Sequence, residues 1–177
     1  MGGPPISDRM QSSEALSASA QIAVTLAGFA GVVVAFRNRA VHEWSKVDKF
    51  RLQILLSNSV LPFMMSIFAM LLTTTGLAEQ VIWRWCSLTA FILTAATGQI
   101  LSNSYRNFSR EELAASGSRR WVFFSSALFG LAATLLQLYN VIRLQTFWPF
   151  FAVIATWLWL GIIQFVLLVT ATQKQSA

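Results

Sequence analysis

One histidine, His42, and one cysteine, Cys86, bound the chemistry open to this 177-residue chain. His42 stands beside Glu43 in a basic segment, where the pair reads as solvated loop groups rather than as a catalytic base. A lone cysteine cannot close an intramolecular disulfide. One imidazole cannot supply paired axial ligands to a haem, and no Cys/His cluster has the spacing of a zinc or iron–sulfur centre. No serine falls in a recognisable arrangement with His42 and an acid. No Asp, Glu or Lys lies in the middle of any long apolar stretch. That disfavours ion-coupled transport through an intramembrane carboxylate, and it leaves no buried lysine for a Schiff base. The sequence therefore predicts no catalytic, metal or cofactor residue. An enzyme would have to assemble its site from the loops of several copies.

The remaining side chains with something to contribute are small or neutral polar. Ser19, Ala23, Ala27, Gly31 and Ala35 recur every fourth residue, with Gly28 beside them. Small residues at that spacing let helix backbones approach closely in lipid. Ala90, Thr94, Gly98 and Ser102, flanked by Gln99 and Asn103, form a second stripe. Ser126, Gly130 and Thr134 form a third, with Gln137 and Asn140 towards its far end. Asn58, Pro62 and Ser66 make a fourth, and Ala152, Thr156 and Gln164 a fifth. Unpaired polar groups are costly in hydrocarbon, so each stripe is expected to face protein. Packing inside a bundle is one reading; lining a neutral hydrated path is the other.

The elements that carry these stripes follow from composition. Hydrophobic residues are 55% of the chain and charged residues 11%, about half the charged share of a soluble domain. The apolar residues gather in blocks near the ~20 residues needed to cross a bilayer as a helix. The fold class expected is an all-α membrane protein, a bundle of about five transmembrane helices. Residues 1–17 read as a polar arm. The spans fall at about 18–36, 52–77, 81–101, 121–142 and 148–172, in one domain, followed by a short tail at 173–177. The first span is the least hydrophobic, and an interfacial or re-entrant helix is its alternative. Ser45 and Asp48 have capping-box spacing, and so do Ser109 and Glu112, which suggests a short surface helix before Gly117. Pro62 removes a backbone hydrogen bond from the second helix and predicts a kink. Pro149 falls in a first turn, where proline is tolerated. Trp83, Trp85, Tyr139 and Trp148 are expected at one membrane interface, and Trp44, Tyr105 and Trp121 at the other.

The net charge of +6 reads as loop charge against anionic lipid, not as a nucleic-acid surface. With five spans, Arg37, Arg39, Lys46, Lys49, Arg51, Arg106, Arg110, Arg119, Arg120 and Lys174 share one side, while Arg9, Arg84 and Arg143 share the other. The richer side is expected in the cytoplasm, which puts the N-terminus outside and the C-terminus inside, in a bacterial inner membrane. The partners implied are the lipid bilayer and a homo-oligomer or larger membrane complex. The function that fits is a non-enzymatic helix-packing or assembly component. A homo-oligomeric channel or passive carrier for a small solute or ion is the alternative.

Overall fold

The computed structural model describes residues 6–36, 44–109 and 120–173. Five long helices account for nearly all of them: α1 (Ile6–Phe36), α2 (Lys46–Thr73), α3 (Glu79–Arg106), α4 (Arg120–Tyr139) and α5 (Phe147–Gln173). A π-helical turn, Asn140–Leu144, joins α4 to α5. No strand occurs among the described residues. Five stretches of 21 to 28 residues are long and apolar enough to cross a membrane, one on each helix, the fourth running from α4 through the π-turn to Leu144. The fold is an all-α bundle of five such helices.

The ends of the helices follow local chemistry. The Ser45 hydroxyl accepts the Asp48 N–H at 3.1 Å, so the expected cap opens α2. α2 then runs unbroken through Pro62 to Thr73. There Gly76, at φ +71°, reverses the chain in a conformation that suits glycine. α1 begins at Ile6, well inside the segment read from sequence as a polar arm. No proline or glycine falls between Ile6 and Leu26, and Ser12 and Leu16 are buried. Tertiary burial thus rewards a helix that polar composition alone does not suggest. The helix expected before Gly117 and the tail at 174–177 lie outside the described residues.

α5 is the hub, packing against each of the other four helices. α1 packs mainly on α2 and α5, α4 mainly on α3 and α5, and α2 also meets α3. Most of the buried core lies towards the end of the bundle that carries the α2–α3 and α4–α5 connections, here the turn end. It comprises residues such as Leu16, Met65, Cys86, Phe150, Ile154 and Trp157. At the opposite, loop end, Ala30 and Leu55 form a smaller cluster. Phe50 packs on Tyr105 and Phe108 there, at ring separations of 6.4 and 5.3 Å, tying the start of α2 to the end of α3.

Two of the tryptophans expected at membrane interfaces are buried in the bundle. Trp83 is buried, with its ring 4.9 Å from Phe147, and its indole N–H donates to Glu79 Oε1 at 3.0 Å. Trp44 is buried as well. Phe147 and Phe150 of α5 cover the Trp83 ring. Trp85, Tyr139 and Trp148 are exposed at the turn end.

Candidate functional site

The turn end holds the densest polar cluster, and one amide organises it. Asn140 opens the π-turn and is fully buried. The wide turn closes with the Gln145 N–H donating to the Asn140 carbonyl at 2.9 Å, and Gln145 sits at φ +51°. This brings the Asn140 side chain over the backbone of Thr146, the residue before α5. Asn140 Oδ1 accepts the Thr146 N–H at 3.1 Å, and Nδ2 donates to the Thr146 carbonyl at 3.0 Å. The second Nδ2 proton goes to Ser87 Oγ on α3 at 2.6 Å. One turn earlier, Gln137 Nε2 donates to the Pro149 carbonyl at 2.8 Å. Three helices are thereby pinned through side chains that bond to one another and to the backbone at the start of α5. The arrangement is structural: it satisfies its donors internally and presents no nucleophile or base.

The stripes read from sequence divide in two. Four residues turn a helix through about 400°, so a row of every fourth residue winds round it by roughly 40° per step. On α1, Ser19 and Ala23 are buried, Ala27 is half-buried, and Gly31 and Ala35 are exposed; Gly28 is exposed as well. On α3, Ala90 and Thr94 are buried, while Gly98, Gln99 and Ser102 are exposed. Each stripe therefore lies inside this bundle for about half its length only, and the remainder is on the outward face. A methyl group added to Gly28, Gly31 or Gly98 would meet nothing within 4 Å.

Within the bundle, most hydroxyls are satisfied on their own helix. Ser19, Ser59, Thr94, Thr134 and Thr156 each donate to the carbonyl four residues back, at 2.8 or 2.9 Å. The half-buried Thr134 hydroxyl also lies 3.3 Å from that of Thr94, where α3 meets α4 beside Gly130. Asn58, Ser66 and Gln164 are buried. Ser66 Oγ, Gln164 Nε2, Gln137 Oε1 and Trp157 Nε1 have no hydrogen-bond partner. Asn58 lies against Gly161 of α5: a methyl group there would sit 3.4 Å from both Asn58 Cβ and Leu26 Cδ1. Sequence reading passed over Gly161, Trp157 and Ser87. Gly161 follows Trp157 by four residues, a small-residue signal hidden in an apolar run.

The outward faces of the helices are unlike one another. α2 presents Leu56, Val60, Met64, Ile67 and Leu71 to the outside, and α4 presents Phe124, Leu128, Leu131 and Leu135. α1 presents Gln21, Thr25, Gly28, Gly31 and Ala35 among its valines. Gln21, Gly28 and Ala35 are spaced by seven, so they stay on one side of the helix, opposite the buried Leu16, Ala23 and Ala30. Gln21 and Thr25 also line a groove of about 370 Å³ against Ile162 of α5. Gln99 and Asn103 on α3 are likewise exposed, 3.1 Å apart.

No group of three or more potential metal ligands occurs among the described residues. No known family model, curated protein or solved structure matches the chain.

Proposed function

We propose that this chain is a non-enzymatic multi-pass membrane protein that assembles laterally through the outward face of α1. Its partner is a second copy or another helical membrane protein. The observation that carries the reading is the exposed row Gln21, Thr25, Gly28, Gly31 and Ala35. The Thr25 hydroxyl already donates to the Gln21 carbonyl at 2.8 Å, but in a bilayer that face would still set the Gln21 amide against hydrocarbon, where helix–helix contact compensates polar groups and small residues permit close approach. Affinity capture of the full chain from native membranes, after crosslinking, tests the proposal: recovery of monomer alone would count against it.

A second reading is a passive path for a small solute or ion, with the buried Asn58, Ser66 and Gln164 as its motive. The hydroxyls bonded to their own helices favour packing instead, because their donors are already engaged. Flux through proteoliposomes separates the two. Lost flux with retained assembly in Thr94→Leu would favour the path, and absence of flux in the unmodified protein would favour packing.

The proposed location is a bacterial inner membrane, with the loop end in the cytoplasm. Ten of the 13 Lys and Arg residues fall on that side, and cationic segments beside a span resist translocation. After Cys86→Ser, cysteines at Ser13 and Gln145 should react with an impermeant thiol reagent in intact cells, and one at Ser176 only after lysis. Protection of position 13 with position 176 still cytoplasmic would remove the first span from the membrane.

A further inference from the structure

The outward face of α1 keeps a strict seven-residue register. Gln11, Ala18, Thr25 and Val32 recur every seven residues, and Glu14, Gln21, Gly28 and Ala35 follow each of them by three. All eight are exposed. Spacings of three and four in alternation make the seam of a left-handed coiled coil, here about 36 Å long. The buried residues of α1, such as Ser12, Leu16, Ser19, Ala23, Leu26 and Ala30, fall at other heptad positions. Packing within the chain and the seam thus use separate sides of one helix. A coiled coil interlocks by seating each knob of one helix in a hole framed by four residues of the other, spaced i, i+3, i+4 and i+7. Ala18, Gln21, Ile22 and Thr25 have that spacing, and the same four line the groove of about 370 Å³ that continues to Leu26 and Ile162. A concavity on the surface therefore coincides with one hole of the seam. In a parallel, in-register pair the knob that enters this hole is Gln21 of the facing helix.

We propose that a second copy of the chain occupies this seam, in a parallel left-handed coiled coil that sets Gln21 against Gln21. The inference rests on α1 as the assembly face and names its partner. Copies of one chain insert the same way round, so a two-fold pair brings their α1 helices together in parallel and each seam layer meets itself. An amide carries both donors and an acceptor, so Gln21 is its own complement. No charged residue lies between Ala18 and Ala35, so two copies face one another there without repulsion. Ala18, Gly28 and Ala35 permit close approach. Glu14 is the one charged seam residue, about 10 Å from Gln21 towards the turn end. It stands beyond the uncharged stretch, where repulsion between two exposed carboxylates is weak.

Single cysteines in a Cys86→Ala background, in two differently tagged copies expressed together, test this by oxidation of native membranes. A disulfide needs Cα atoms within about 7 Å, which a two-fold pair grants to a seam residue and its copy but not to a flanking residue. Thr25→Cys and Val32→Cys should each give a linked dimer that carries both tags. Val24→Cys, off the seam yet as exposed as Val32 (54% against 50%), should stay monomeric. Adding Gln21→Leu to Val32→Cys should lower the dimer yield about fivefold where dimer is limiting. A thiol-to-amine crosslinker on the same variants captures partners that lack a cysteine. Adducts without the second tag would overturn the second copy as partner and leave α1 as the assembly face. Dimer from Val24→Cys equal to that from Thr25→Cys, or dimer indifferent to Gln21→Leu, would overturn the seam. Absence of any adduct would overturn both this inference and the reading it rests on.

Discussion

The turn end and the outward face of α1 are both rich in amides, hydroxyls and small residues, yet they are completed in opposite ways. At the turn end, Asn140 makes three hydrogen bonds inside the chain, and Ser87 and Thr146 are its partners. On α1, Gln21 reaches only Ser17 one turn back, at 3.4 Å, and Gly28 and Gly31 have open space before them. Polar groups in an apolar medium need partners wherever they lie. Where the chain supplies them, they fix the fold; where it does not, as on α1, they motivate the proposed assembly. The two regions should therefore respond to substitution in different observables.

The largest effect on the fold is expected from Asn140→Leu. It strips partners from Ser87 and from both backbone groups of Thr146, and stability in detergent should fall by about 3 kcal/mol. Assembly measured at a temperature where the variant remains folded should be unchanged. Gly28→Leu with Gly31→Leu reverses that pattern. A Cβ at either exposed position meets nothing within 4 Å, so the protomer's stability should not fall. Crosslinked oligomer should be lost, because two backbones can no longer approach. Gln21→Leu removes one intermembrane-face hydrogen-bonding group and should weaken assembly by about 1 kcal/mol, with the unfolding midpoint held. The smallest effect belongs to Thr94→Val. Its hydroxyl bonds to Ala90 on its own helix, so both stability and assembly should change by less than about 1 kcal/mol. Equal responses of fold and assembly across the set would erase the distinction between the two regions.

The five helices were legible because each apolar block is long, and the Ser45 cap because its chemistry is local. The stripes were legible only in part. Spacing by four drifts round a 3.6-residue helix, so the row that begins with the buried Ser19 ends with the exposed Ala35. Seven-residue spacing, which holds one side, would have picked out Gln21, Gly28 and Ala35. The Asn140 cluster was out of reach: Ser87 stands 53 positions away in sequence, and a left-handed Gln145 has no compositional signature. The burial of Trp83 was out of reach for a related reason, since its cover comes from Phe147 and Phe150 on another helix.

Val32 on α1 and Val60 on α2 form a matched pair, 50% and 49% exposed on their outward faces. In a Cys86→Ala background, Val32→Cys and Val60→Cys can be compared by oxidative and bifunctional crosslinking in native membranes. Assembly through α1 predicts a discrete crosslinked species from Val32→Cys, a dimer or a defined heterologous adduct, and monomer from Val60→Cys. Monomer from both, or the same adducts from both, would contradict it.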